Sequence, residues 1–223
     1  PYAEFAESEE EKKFAQGLEE AYSNETESRE LFNQLNSFND TQKNLLSSAY
    51  KTMSGEQYSN IQHRINSTSE SLSNKFSILM KEIGEDEIKI NGFVLEGKNI
   101  KDEKTSEDYK YSGYGVVFSK SMGDKGVYAG VISKTFNLQD TAGSKEENGM
   151  IKAGIYKKFK FNHGIEWKTS GEVFFGKNEM NRKYNIEGIV YEAKSDYGTY
   201  GFGLKNEIAK TIEITENFSF RPY

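Results

Sequence analysis

Residues 109–138 read YKYSGYGVVFSKSMGDKGVYAGVISKTFNL. Tyr114, Val116 and Phe118 alternate with Gly113, Gly115, Val117 and Ser119, a period of two that belongs to a strand with unlike faces. Met122-Gly123-Asp124-Lys125-Gly126 interrupts the run with turn formers, and a second alternating run follows over Val127–Leu138. The pair reads as a β-hairpin.

The same pattern extends downstream. In Met150–Phe161, Ile151, Ala153, Ile155, Phe159 and Phe161 alternate with Lys152, Gly154, Tyr156, Lys158 and Lys160. After Asn162-His163-Gly164, the run Ile165, Trp167, Thr169, Val173 and Phe175 alternates with Glu166, Lys168, Ser170 and Glu172. Tyr200–Ile208 and Ile212–Phe220 continue it, and Ile88–Gly97 and Arg182–Glu192 supply two further candidates. About eight strands of about 9–14 residues are expected.

Upstream the pattern changes. Phe14, Leu18 and Tyr22 recur at helical spacing, as do Leu31, Phe32 and Leu35, then Leu45, Leu46 and Tyr50. Tyr58, Ile61, Ile65, Leu72, Phe76 and Leu79 lie roughly on one face of a long helix predicted from Ser54 or Gly55 to about Ile83. Its other face carries Asn60, Arg64, Ser67, Ser71, Asn74 and Lys75 and is polar without being strongly charged. Stops fall at Asn36–Asp40 and Ser54-Gly55, giving about four helices.

Composition divides the chain at the same place. Residues 1–84 carry 14 acidic and 8 basic side chains and 3 of the 20 glycines. The later part has balanced charge and is rich in glycine and aromatics. The chain as a whole has net charge −6 and no cysteine, which excludes a disulfide framework, a cysteine metal site and a basic nucleic-acid footprint. No 18-residue apolar stretch offers a transmembrane helix, yet a membrane β-barrel hides its apolar residues at alternate positions. Pro1–Leu18 is acidic and is not a signal peptide, and without an initiator Met the chain is expected to be a piece of a longer one.

Alternation alone does not separate a membrane barrel from a soluble sheet. Long strands, abundant glycine and aromatics favour a barrel, as do short turns (Gly123–Gly126, Asn162–Gly164) alternating with longer polar loops (Gln139–Asn148, Lys98–Glu107). The competing reading is a soluble helical stalk plus an antiparallel β-domain acting as a binding or adhesin module.

A family resemblance bears on that choice. Met53-Ser54-Gly55-Glu56-Gln57-Tyr58, followed by Asn60–Ile65 and Leu72-Ser73-Asn74-Lys75-Phe76, resembles the stretch that precedes the translocator barrel of type V secretion autotransporters. Met53 stands where the family usually has Leu. The Tyr111–Leu138 hairpin is similar to the family's early barrel hairpin, and the helices around Phe14-Ala15-Gln16-Gly17-Leu18 to its helical lead-in.

The resemblance implies an α+β chain: an N-terminal helical segment followed by antiparallel up-and-down strands of a membrane β-barrel. Its parts would be a lead-in over 1–52, a linker or pore helix over 53–84, and barrel strands over 85–223. It implies location in the outer membrane of a Gram-negative bacterium and export of an upstream passenger to the cell surface. The partners implied are outer-membrane lipid, the chain's own passenger and the barrel-assembly machinery. Ser54, Gly55, Glu56 and Tyr58 would dock the linker helix. Lys152, Glu166, Lys168, Glu172 and Lys205 would face the lumen, and Ile155, Trp167, Phe175 and Phe202 the lipid.

Two departures qualify it. Residues 85–223 are too few for the family's usual twelve strands. Tyr223 shares its face with Arg221, Ser219 and Asn217, while Phe218 and Phe220 lie on the other. Roughly the first two-thirds of a barrel is therefore expected.

No enzymatic constellation stands out, and no cofactor or metal is expected. His63 and His163 are isolated, and Glu7, Glu9, Glu10 and Glu11 read as the solvated start of a helix. Gly113-x-Gly115 and Gly201-x-Gly203 do not sit between a strand and a helix, as a phosphate loop would. Passenger self-cleavage, which the family sometimes shows, would draw on Asn66 or Asn74 beside Glu166 or Glu172.

Overall fold

The computed structural model describes residues 2–24, 29–38, 42–58, 60–99, 108–139, 142–186, 189–210, 212–215 and 218–220. After a short 3-10 turn at Tyr2–Phe5 come four helices: α1 (Glu9–Asn24), α2 (Arg29–Ser37), α3 (Lys43–Met53) and α4 (Ile61–Glu82). Six strands follow: β1 (Ile88–Asn99), β2 (Tyr109–Met122), β3 (Lys125–Leu138), β4 (Lys145–Lys160), β5 (Ile165–Ile186) and β6 (Ile189–Lys210). They form one antiparallel sheet in the order β1-β2-β3-β4-β5-β6, each paired with its sequence neighbour. A separate pair, β7 (Ile212–Thr215) and β8 (Phe218–Phe220), closes the described chain.

The eight expected strands are thus six long ones and a short pair. Arg182–Glu192 is not a strand of its own. Its first residues finish β5 and its last begin β6, which pair without a break from Ile165↔Lys210 to Ile186↔Ile189. Gly176-Lys177-Asn178-Glu179 has the composition of a turn, but it runs straight on through the sheet. Asn178 points inward, fully buried, and donates to Tyr197 O at 3.3 Å. Ile212–Phe220 is a hairpin rather than one strand. Of the loop expected over Lys98–Glu107, the first two residues finish β1 and residues 100–107 lie outside the described residues, as do the last residues 221–223 and the side chains of Asn217, Phe218 and Phe220.

The long helix also starts later than its apolar spacing suggests. Ser54 caps the end of α3, its N–H bonded to Tyr50 O at 2.8 Å. Gly55 then turns into the left-handed region at φ +88. A 3-10 turn at Glu56–Tyr58 follows, and helical geometry resumes only at Ile61. A left-handed residue cannot continue a right-handed helix, so the glycine splits the pattern. Tyr58 consequently leaves the apolar stripe and is 38% exposed.

Helices α1–α3 make their own core from Tyr2, Leu18, Phe32, Leu35, Leu46 and Tyr50. Its N-terminal end is tied by Glu11, which is not solvated. Ser8 Oγ accepts the Glu11 N–H at 3.2 Å, and Glu11 Oε2 accepts the Glu7 N–H at 2.8 Å and the Ser47 hydroxyl at 2.9 Å. This is a variant of the capping box that reaches across to α3. The side chain of Glu10 lies outside the described residues. The core is completed by Ile186, Tyr184 and Tyr191 from the far end of the β5–β6 hairpin. That end outruns β4, whose last pair with β5 is Lys145↔Asn181, so its inward apolar side chains are covered by helices instead of strands.

Candidate functional site

Helix α4 lies across one face of the sheet, against β2, β3 and β4. A second core forms there from Ile65, Leu72, Phe76, Leu79 and Met80 with Val117, Tyr128, Ile132, Met150 and Tyr156. Gly130 permits the close approach: a Cβ on it would stand 3.0 Å from the Phe76 ring and 2.9 Å from Val116 O. Phe76 packs on Tyr128 with ring centroids 4.6 Å apart.

The rest of the helix–sheet interface is polar and closely paired. Arg64, wholly buried, sends Nε to Glu146 Oε2 at 2.6 Å and Nη2 to Gln57 O at 2.8 Å. Tyr197 donates its hydroxyl to Glu146 Oε1 at 2.8 Å. Lys134 donates to Ser67 Oγ at 2.8 Å and Ser71 Oγ at 3.2 Å, and its ammonium stands 3.8 Å over the Tyr111 ring. Lys152 donates to Ser69 Oγ at 2.8 Å, Ser73 Oγ at 2.7 Å and Glu172 Oε1 at 2.9 Å. Glu172 also accepts from Tyr128 at 3.1 Å, and Lys205 reaches Ser77 Oγ at 3.3 Å. Tyr109 shares a 2.7 Å hydrogen bond with His63 Nδ1. Helical serines thus meet lysines projecting from β3, β4 and β6. Burying such groups is tolerable because each side chain finds at least one partner, Arg64 Nη1 alone among the atoms of that guanidinium making no hydrogen bond.

Of the five inward residues read from the sequence, Lys152, Glu172 and Lys205 meet α4 itself. Lys168 stays on the same face and pairs with Glu207 at 3.8 Å. Glu166 lies at the short-turn end, lining a recess with Ile83, Gly84 and Lys158. Alternation could not reveal Lys134, Glu146, Tyr128 and Tyr197, because their importance depends on where the helix comes to rest. Asn66 is exposed and bonded to Gln62 at 2.9 Å, and Asn74 is exposed. The Glu172 carboxylate is taken up by Lys152, Tyr128 and Ser73, so the pairing of Asn66 or Asn74 with Glu172 does not form.

The segment expected to dock the helix precedes the N-terminal end of α4. Tyr58 stacks under the Arg182 guanidinium at 5.1 Å and shares a 3.3 Å hydrogen bond with Ser195, so it touches β5 and β6. A Cβ on Gly55 would meet Tyr58 at 3.0 Å and Arg182 at 3.1 Å. Ser54 is exposed, and the side chains of Glu56 and His163 lie outside the described residues.

The opposite face has a different character. Val94 is 79% exposed, Tyr200 83%, Phe202 81% and Leu204 79%, with Ile155 and Phe175 both at 65%. The register aligns these side chains with Ile90, Val116, Val131, Ile151 and Val173 into a band across all six strands. Charged side chains of the same face bound the band: Glu147, Lys177, Glu179, Lys194 and Asp196 at one end, Lys120, Lys125 and Lys157 at the other. On β4, the ten steps from Glu147 to Lys157, at ~3.3 Å each and tilted about 45°, span ~23 Å, close to the ~25 Å apolar height of outer-membrane barrels. Trp167 is at the short-turn rim, stacked on Phe159 at 5.0 Å, its indole N–H donated to Asn206 at 3.2 Å. No helix among the described residues is long and apolar enough to cross a membrane.

Comparison with known proteins agrees with this geometry. The family model for the autotransporter beta-domain matches residues 89–223. No curated protein and no solved structure matches the chain. The match spans more than half of the residues and covers all the strands that carry the two-faced sheet, so the chain belongs to the autotransporter beta-domain family, whose members are outer-membrane translocators.

Proposed function

We propose that this chain exports an upstream passenger segment through an outer-membrane barrel to which β1–β6 contribute, with α4 lying in the lumen. The observation that carries the reading is the pairing of unlike faces: one holds a serine-rich helix by buried ion pairs, the other presents a continuous apolar band between charged rims. Water on that band would be costly at about 25 cal/mol per Å² of apolar surface, whereas lipid is a matching solvent. Ile155, Phe175 and Phe202 are then lipid-facing, and Trp167 sits at the headgroup level. Lys152, Glu166, Lys168, Glu172 and Lys205 line the lumen.

Strands β1 and β6 are edges among the described residues. Unpaired backbone groups are not tolerated in a bilayer, so further strands would complete the wall, their closure assisted by the barrel-assembly machinery. No enzymatic step belongs to this reading. A soluble binding module would have to hide a band in which Phe202 is 81% exposed, and no described element covers it.

Expression of the full-length protein in a Gram-negative host tests the proposal. Its upstream segment should become sensitive to external protease on intact cells. Deletion of residues 85–223 should leave that segment protected inside; surface exposure that survives the deletion would refute export through this domain.

A further inference from the structure

Lysines at the two rims of the outward face have unlike surroundings. At the loop end, Lys145 pairs with Glu147, and Lys177 with Glu179 at 3.0 Å, each two residues along the same strand. At the short-turn end, Lys120, Lys125 and Lys157 are exposed, and none forms an ion pair with a described carboxylate. Lys157 instead rests its ammonium 5.0 Å over the Phe159 ring. Lys125 and Lys157 are direct partners across β3 and β4, and Lys120, opposite Val127, is diagonal to Lys125. Like charges directly opposite in an antiparallel pair destabilise it unless an anion lies between them.

Beside these lysines the apolar band is hollow. Lys125 and Lys157 stand at one end of a recess of about 590 Å³, floored by Gly171 and flanked by Val127, Ile155 and Leu204. The same four residues line a second recess, of about 650 Å³, that continues over Ala129 and Ala153. Ala129 and Ala153 are direct partners, so the hollow crosses β3 and β4 without a bulky side chain in its path. From Lys157 to Ala153 it runs four residues, ~13 Å into the band.

We propose that this trough binds one anionic glycerophospholipid, its phosphate held between Lys125 and Lys157 and one acyl chain laid over Gly171. Short turns of outer-membrane barrels face the periplasm, so the lipid belongs to the inner leaflet. Lysine ammoniums hold phosphate as point charges, and basic pockets at a membrane face select anionic headgroups. The inference rests on the membrane reading of the band.

The test uses the full-length protein in phosphatidylcholine vesicles that contain a minor fraction of phosphatidylglycerol with a photoreactive acyl chain. Adducts mapped by mass spectrometry should cluster on the peptides holding Val127, Ile155, Gly171 and Leu204. Photoreactive phosphatidylcholine at the same fraction should label them about tenfold less. Lys125→Gln with Lys157→Gln should abolish that difference, and Lys194→Gln at the loop rim should leave it. The glutamines remove a repulsion, so the sheet should keep its fold. Gly171→Leu fills the trough with both lysines in place and should lower phosphatidylglycerol capture by a similar factor. It can be accommodated, because a Cβ there meets only Leu204, at 3.5 Å. Adducts spread evenly over β1–β6, or equal capture of the two lipids, would overturn the proposal. No capture at these residues, with the protein running as a dimer, would give the trough to a second copy and overturn it as well. A protein that does not enter the vesicles at all would refute the membrane reading itself.

Discussion

Arg64 Nε stands 2.6 Å from Glu146 Oε2, with both side chains fully withdrawn from solvent. Residue 64 is on a helix and residue 146 at the start of a strand 82 positions later, so this contact ties the two halves of the chain together. Replacing one member of such a pair leaves a bare buried charge. Arg64→Met should therefore cost about 3–5 kcal/mol, and the double change Arg64→Met with Glu146→Leu should recover most of it. Urea unfolding of the protein in lipid vesicles measures both, and a double variant no better than the single one would show that the pair is not the source.

The outward band leads to a depth-dependent prediction. Ile155→Lys and Phe202→Arg should destabilise folding into bilayers by about 2–4 kcal/mol near mid-membrane. Glu179→Lys, on the same face at the rim, should change little. Equal effects at all three positions would remove the lipid assignment.

Gly55 turns at φ +88 between α3 and α4, with Tyr58 and Arg182 packed close against it. Gly55→Ala adds the left-handed penalty, about 1–2 kcal/mol, and a contact with the Tyr58 ring. The expected consequence is faster proteolysis near residues 53–60 with the strands still protected. Unchanged proteolysis would mean that the turn does not hold the helices in place.

Leu35 is 2% exposed in the core that α1–α3 share with Tyr184, Ile186 and Tyr191. Leu35→Ala should cost about 2–5 kcal/mol in that unit alone. Limited proteolysis should then remove residues 1–52 first, leaving the α4-bearing sheet resistant. Simultaneous loss of both would show that helices and sheet unfold as one unit.

Much of this was legible in the sequence, for identifiable reasons. A strand's side chains alternate by backbone geometry, so Ile155, Phe175 and Phe202 could be placed on one face and Lys152 and Glu172 on the other without knowing a single contact. Strand length was harder. Gly176, Asn178 and Asn181 resemble turn residues, but pairing with β6 satisfies their backbone and the run continues. The contacts of α4 could not be read at all. Arg64 looked like one polar residue among six, and Lys134 like any strand lysine, because their partners depend on the depth at which the helix settles. Gly55 reads as a stop in the sequence, yet Tyr58 shares the apolar stripe of a helix that begins only at Ile61.

The most direct test of the account is a lipid-accessibility scan. Single cysteines placed in turn at residues 200–208 of the full-length protein, each carrying an environment-sensitive fluorophore, would be challenged in bilayers with a quencher attached to the lipid chains. The account predicts quenching at the even positions, Tyr200, Phe202, Leu204 and Ile208 among them, and little at Gly201, Gly203, Lys205 and Glu207. Quenching without a period of two, or none at any position, would contradict the placement of this face in the membrane.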